Sequence, residues 1–374
     1  MSVEVREVKS KSELKRFVLF PFSLYKKCPY WIPPLIFDEL HTLRSDKNPA
    51  FEFCEAKYWI AYKNGTIVGR IAGIINKKYI EKWHNDYGRF GWVDFIDDYE
   101  VSQALFEIVE AWAKSNGLEA VHGPLGFSDM DHEGMLIEGF NELGTIATIY
   151  NYPYYPEHIE RCGYRKDADW IEFEIKVPAA IPEKAERISH LVTEKKKVSV
   201  LEAKNSKELL PYARQIFELI NQTYENFYGF VPLTEKQIEF YVKQYFPFVD
   251  PDYLKVLLDG QNKIAGFVIG MPSLSRALQR ARGRLFPFGF IHLWRALKHP
   301  KYVDLYLGAI RPDLQGKGAD ALLMTELAKS CIKNQIISAE SNIELEDNVR
   351  VQSHWKYFDS RQHKRRRCFI NHLI

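Results

Sequence analysis

YLGAIRPDLQGKGADALLM (306–324) is the stretch on which the reading of this chain turns. An apolar run, YVDLYLGAI (302–310), reads as a buried strand, and Pro312 ends it. ADALLMTELAKSCIKN (319–334) then has the apolar spacing of an amphipathic helix. Between strand and helix stand Gly316 and Gly318. Glycine takes left-handed backbone angles without steric cost and lets a ligand come close to the main chain. The first amides of a helix lack partners within it, and with the positive end of the helix dipole they suit a phosphate. Lys317 adds charge beside them. The pattern predicts a pyrophosphate cradle over Gln315, Gly316, Lys317, Gly318 and Ala319; the plain alternative is a turn that holds nothing.

Upstream of the turn, VSVLEAK (198–204) reads as a strand, and 206–227 and 234–246 as helices, the second capped by Thr234. DYLKVLLDG and KIAGFVIGM form a hairpin about Gln261-Asn262, and IISAES is the strand after the 319–334 helix. The same order is written earlier in the chain. VEVREVKS (3–10) precedes a helix opened by Ser10 or Ser12, and AKYWIAY (56–62) joins TIVGRIAGII (66–75) through Asn64-Gly65, a strong hairpin signal. RFGWVDFI (89–96), a helix over 100–117 and a strand from LEAVHGPLG complete it. The expectation is an α/β fold with a mixed sheet, in two tandem domains at 1–178 and 198–374, with a proline- and charge-rich linker at 179–197.

Hydrophobic residues make 46% of the chain and charged residues 27%, a balance that points to a globular protein. The net charge of +2 demands neither nucleic acid nor an anionic surface as partner. Five scattered cysteines with no Cys-x-x-Cys pair fit a reducing, cytoplasmic setting better than a disulfide scaffold or a zinc site. The polar start MSVEVREVKSKSELKR does not read as a secretory signal, and no apolar run is long enough for a membrane span.

The turn and its surroundings resemble the GNAT acyltransferase superfamily, whose signature sets a Gln or Arg ahead of closely spaced Gly and Ala residues; Gln315, Gly316, Gly318 and Ala319 carry it here. The resemblance implies that acetyl-CoA or another acyl-CoA is the co-substrate, its pyrophosphate held by the turn. It implies that Leu307, Ala309 and Ile310 supply a splayed strand edge for the pantetheine arm, and that Asn348 on the last helix borders the cofactor. It places Asp304 where some family members carry a catalytic base. The family's usual acid, a tyrosine seven residues after the asparagine, is replaced by Trp355, which leaves Tyr357 and Tyr306 as candidates. WIPPL (31–35), NPAF (48–51), VGRIAG (68–73) and HGPLGF (122–127) further resemble a bacterial family of tandem acetyltransferase-like proteins.

In the first half, Asp97, Asp98, Tyr99 and Glu100 stand where the second half has its glycine turn, so a degenerate copy without coenzyme is expected. The loop GPLGFSDMDHEGMLIEGF (123–140) carries Asp129, Asp131, His132 and Glu133, at a spacing that matches no metal loop; no metal is expected. The insert 275–301 holds seven Arg and Lys residues, four large aromatics and no acid, and reads as an amphipathic lid or as a grip on an anionic acceptor, a membrane or nucleic acid. The expected activity is coenzyme A-dependent N-acyl transfer to a small-molecule or peptide amine. The alternatives are a non-catalytic acyl-CoA sensor, favoured by Trp355, and an aminoacyl-tRNA-dependent transferase.

Overall fold

The Asn64-Gly65 pair, both at positive φ, turns the chain between β2 (Cys54–Lys63) and β3 (Thr66–Asn76) in the computed structural model, which describes residues 2–373. Before the hairpin come β1 (Glu4–Glu7), α1 (Lys11–Leu24) and α2 (Ile36–Thr42). A capping box opens α1: the Glu13 amide donates to Ser10 Oγ at 3.2 Å and the Ser10 amide to Glu13 Oε2 at 2.9 Å. After the hairpin follow α3 (Lys77–Trp83), β4 (Tyr87–Phe95), α4 (Tyr99–Ser115), β5 (Ala120–Gly123), β6 (Met135–Glu138), α5 (Tyr154–Arg161) and β7 (Arg165–Lys176). The second repeat runs α6 (Glu183–Lys196), β8 (Ser199–Val200), α7 (Ser206–Leu209), α8 (Ala213–Thr223), α9 (Glu235–Tyr245), β9 (Leu254–Leu258) and β10 (Ile264–Pro272). Then come α10 (Ser275–Ala281), α11 (Gly289–Lys298), β11 (Tyr302–Ile310), α12 (Ala319–Lys333), β12 (Ser338–Glu340), β13 (Glu344–Leu345), α13 (Val349–Trp355) and β14 (Ser360–His372).

The elements gather into two compact units that are not consecutive along the chain. Unit 1 comprises Met1–Ile171, Leu274–Trp294 and His363–Ile374; unit 2 comprises Glu172–Ser273 and Arg295–Gln362. The sequence suggested a cut after 178, but β7 and β14 each contribute to both units. The 179–197 stretch, read as a linker, forms α6, whose Val192 is buried in a cluster with Ala319, Leu322 and Leu323 of α12.

Within unit 1 the strands lie in the order β1-β2-β3-β4-β5-β14-β7, with only β4 and β5 parallel among the registers at its centre. Within unit 2 the order is β8-β9-β10-β11-β12-β7, with β11 and β12 parallel. A register shift interrupts the antiparallel pair before each parallel one, between Arg70 and Ala72 on β3 and between Ile269 and Gly270 on β10. The same irregularity at the same place in both sheets is the mark of a duplicated fold. In unit 1, α4 packs on β3 and β4 through Val101, Leu105, Phe106 and Val109, and in unit 2, α12 packs on β9 and β10, with Leu322, Leu323 and Leu327 in one buried cluster with Leu257, Ala265 and Val268.

Phe369 on β14 is fully buried in the unit 1 core with Phe90, Phe106 and Val121, although nearly two hundred residues separate it from the rest of that unit's consecutive sequence. Phe369→Ala should destabilise the protein by about 3–5 kcal/mol, the usual cost of emptying a buried phenylalanine site. Chemical denaturation checks this, and a loss below about 1 kcal/mol would contradict the placement of β14 in that core.

Candidate functional site

Parallel pairing of β11 with β12 covers only Tyr302↔Ser338, Val303↔Ala339 and Asp304↔Glu340, while β11 continues to Ile310. Beyond Asp304 the two strands part. Backbone groups that β11 turns toward the gap need partners, and side chains supply them for three carbonyls. Asn342 Nδ2 donates to the Tyr306 carbonyl at 3.1 Å, Tyr224 Oη donates to the Gly308 carbonyl at 3.0 Å, and Gln315 Nε2 donates to the Ile310 carbonyl at 2.9 Å. Leu307, Ala309 and Ile310, the expected splayed edge, lie on the part of β11 that pairs with β10 and not with β12.

At the end of that edge, Gly316 and Gly318 have φ of 69° and 87°, in the left-handed region that favours glycine. A Cβ on Gly316 would meet nothing within 4 Å, whereas one on Gly318 would stand 2.9 Å from the Val192 side chain of α6. Gly318 caps α12, and among the described residues the amides of Gly316, Gly318 and Ala319 donate to no protein acceptor. Lys317 Nζ donates back to the Asp313 carbonyl at 2.6 Å. Arg350 of α13, which the sequence did not single out, places Nη1 2.7 Å from Gln315 Oε1 and pairs with no carboxylate among the described residues. Asp320 in the first turn of α12 is an anion that opposes phosphate binding, but His354 holds it at 2.5 Å, and that contact keeps its carboxyl below the usual range. Asn348 caps α13, its Oδ1 accepting from the Val351 amide at 3.4 Å.

The candidate proton-transfer residues are spread unevenly. Asp304 is buried on the last paired rung, opposite Glu340. Tyr306 falls at the register shift of β11, where Gly270 pairs with Leu305 and Ile269 with Leu307. Burial, and then the charge of Asp304, push its hydroxyl well above the ordinary tyrosine range, so it stays protonated. Tyr357 lies past the end of α13 with 76% of its surface exposed, facing Lys184 Nζ at 5.9 Å from its ring. No described contact joins it to Asp304 or to the parted strands.

Trp355, in the place where a tyrosine was expected, is buried and donates its indole N–H to Glu344 Oε1 at 2.8 Å. Burial pushes the Glu344 carboxyl up to about 7, against the opposing pull of that indole and of His354. The Glu344 charge is felt by Tyr224, whose hydroxyl touches Gly308 in the gap. Glu344 and Tyr224 are thus functional candidates that sequence reading missed. Nothing local marks Glu344, since its shifted carboxyl depends on burial that only the folded chain creates.

Unit 1 has the same parting with another outcome. Pairing of β4 with β5 stops at Arg89↔His122, yet β4 continues to Phe95. Two buried or half-buried tyrosines of α5 take the freed groups: the Phe95 amide donates to Tyr155 Oη at 3.0 Å, and Tyr154 Oη donates to the Phe95 carbonyl at 2.6 Å. At the start of α4, Asp98 accepts from the Glu100 amide at 3.1 Å and pairs with Lys63 at 2.6 Å. An anion entering there would meet carboxylates where unit 2 offers amides. In the 123–140 loop, Asp131 accepts from the Ser128 amide at 3.0 Å, and burial pushes its carboxyl up to about 7. His122 is fully buried, 3.4 Å from Asp167.

Comparison with known proteins agrees with this geometry. The chain is 30% identical over 375 residues to Protein YghO of Escherichia coli (strain K12), covering 98% of this chain and 94% of that protein. It is 28% identical over 296 residues to a bacterial ceramide synthase of Caulobacter vibrioides (strain NA1000 / CB15N), covering 78% of this chain and 76% of that one. A tandem GNAT protein from the clavulanic acid biosynthesis pathway superposes with a TM-score of 0.56 at 11% identity, covering 100% of this chain and 99% of that one. A GCN5-related N-acetyltransferase from Sphaerobacter thermophilus gives 0.53 at 10% identity, covering 99% and 96%. No protein-family model matches the chain.

The raised carboxyl of Glu344 carries a stability signature. A group held at about 7 instead of 4.5 favours the folded state in its neutral form, so its contribution is full below pH 4.5 and lost as pH rises through about 7. Glu344→Gln, which stays neutral, should gain up to about 3 kcal/mol on the parent across that interval. Urea denaturation of both proteins at the two ends of the interval measures it; a difference that does not change with pH would show that Glu344 titrates normally.

Proposed function

We propose that this chain, which belongs to the family of Protein YghO and shares the fold of GCN5-related N-acetyltransferases, transfers an acyl group from coenzyme A to an amine. The observation that carries the proposal is the succession, within unit 2, of a parted parallel strand pair and a two-glycine turn with open amides. The open amides of Gly316, Gly318 and Ala319 suit the pyrophosphate, with Gln315, Lys317 and Arg350 around it. The amide groups of a pantetheine arm can replace the side-chain partners that Asn342 and Tyr224 now give to β11 along Leu307, Ala309 and Ile310.

Acyl transfer needs a neutral amine that attacks the thioester carbonyl, a group to take the amine proton, and a proton for the departing thiolate. We assign the base to Asp304, buried beside Glu340 on the last paired rung. The acid is Glu344, whose carboxyl is poised near neutral pH and whose charge reaches the Tyr224–Gly308 contact. Glu344 stands in for the tyrosine that Trp355 displaces; Tyr306, which stays protonated, is the second candidate. For the acceptor, the relative named a bacterial ceramide synthase favours a long-chain amino alcohol over a peptide amine, since a ceramide is the N-acyl derivative of such a base.

Calorimetric titration with acetyl-CoA tests the cradle. Gly316→Glu should abolish binding yet leave the fold intact, because a Cβ there meets no atom within 4 Å and the positive φ costs about 1–2 kcal/mol at one residue. Unchanged affinity in that variant, or no affinity in the parent, would remove coenzyme A from the proposal. Asp304→Asn should retain coenzyme binding and lose about a hundredfold or more in turnover with a sphingoid-base acceptor followed by mass spectrometry. Binding by the parent without turnover on any amine would favour the sensor reading that Trp355 suggests.

A further inference from the structure

The basic and aromatic insert is built as a rooted stalk with a bare apolar tip. Its root, α10 and the turn after it, is fastened to unit 1: Ser275 Oγ donates to the Gly144 carbonyl at 3.0 Å, Gln279 Nε2 to the Pro29 carbonyl at 2.8 Å, and the Ile36 amide to the Gly283 carbonyl at 3.0 Å. Gly283 sits at φ 67°, and a Cβ on it would come within 2.3 Å of the Pro34 carbonyl, so this seat is tight. The tip is open. Phe286 is 79% exposed, Phe288 69%, Phe290 48% and Trp294 57%. A lid closing a pocket would turn these rings inward; here they face solvent within nine consecutive residues.

The cations keep the same company. Arg276, Arg280, Arg282 and Arg284 are all exposed, and among the described residues none pairs with a carboxylate. The whole stretch 275–301 contains no acidic residue. From Arg280 to Trp294 the only uncharged polar side chain is His292, so the surface offers almost nothing to read base edges, while rings beside arginines match the boundary between lipid headgroups and acyl chains.

We propose that this tip docks the protein on an anionic phospholipid bilayer, with Phe286, Phe288, Phe290 and Trp294 entering the acyl boundary and Arg276, Arg280, Arg282 and Arg284 lying among the phosphates. The inference is independent of coenzyme binding and of turnover. It also differs from a membrane span: among the described residues no helix is long and apolar enough to cross a membrane.

Co-sedimentation of the full chain with phosphatidylglycerol–phosphatidylcholine vesicles, beside pure phosphatidylcholine vesicles and tRNA, tests it. The protein should partition onto the anionic vesicles and not the neutral ones. Phe286→Ser/Phe288→Ser and, separately, Arg280→Glu/Arg284→Glu should each lower the partition coefficient by roughly tenfold or more, with melting temperature unchanged because every replaced side chain is exposed. No sedimentation with anionic vesicles, equal partition onto neutral ones, binding untouched by both variants, or retention by tRNA alone would each overturn it.

Discussion

The ladder between β11 and β12 stops at Asp304 and Glu340, and the chemistry available to unit 2 follows from that stop. A strand that loses its neighbour keeps its hydrogen-bonding groups. Three side chains, from Asn342, Tyr224 and Gln315, answer three of those groups one by one. Each such bond is worth only about 1 kcal/mol net, so an amide-bearing ligand of the right length can exchange with them at little cost. A continuous backbone ladder would not yield in that way, because its bonds come with a packed strand attached. The gap is a place where three carbonyls are held by replaceable side-chain bonds, and the glycine turn at its end adds amides that no described protein group has taken.

Unit 1 shows what the same gap becomes when it is sealed. Its freed groups at Phe95 go to Tyr154 and Tyr155, and the Tyr155 ring stacks on Phe95 with centroids 4.2 Å apart in the core. Tyr155 Oη also lies 2.8 Å from that of Tyr25, beside the buried Arg70–Asp94 pair. Opening this gap would unpack a ring and disturb a buried ion pair, which is costly once one partner is lost. Replacing the glycine turn by Asp98, which caps α4 itself, completes the sealing. The two copies thus differ in what holds the parting: Asn342, Gln315 and the Tyr224 hydroxyl in unit 2, and two tyrosines, one of them fully buried in the core, in unit 1.

What the sequence could tell depended on how local each signal is. The glycine turn, the hairpins at Asn64-Gly65 and Asn262, and the alternation of strand and helix are properties of short windows, and they appear in the structure where the reading put them. The sharing of β7 and β14 was not legible, because strand pairing is chosen by partners far away in the chain. Nor was the seat of the insert, where the Gln279 side chain meets the Pro29 and Trp31 carbonyls across some 250 residues. Glu344 reads as an ordinary surface acid until the fold buries it. Simple alternation along β11 would put Tyr306 on the face of Asp304; the register shift at that residue breaks the alternation, and the charge of Asp304 still acts on the Tyr306 hydroxyl.

The sharing of β7 bears directly on the gap. One arm of the parting, β11, is anchored by its antiparallel ladder to β10. The other arm, β12, is three residues long and too short to hold its own position. Its second neighbour is the unit 2 portion of β7, where Ser338, Ala339 and Glu340 pair with Lys176, Ile175 and Glu174. One residue further, the Ser341 amide donates to the Phe173 carbonyl at 2.8 Å and the Phe173 amide to Ser341 Oγ at 2.9 Å. That reciprocal pair clamps β12 at the rung where β11 departs. The width of the gap is therefore set by residues 173–176, which precede the second repeat in the chain. A polypeptide starting at residue 198 would carry the glycine turn and the acids, yet lack the strand that holds the gap open.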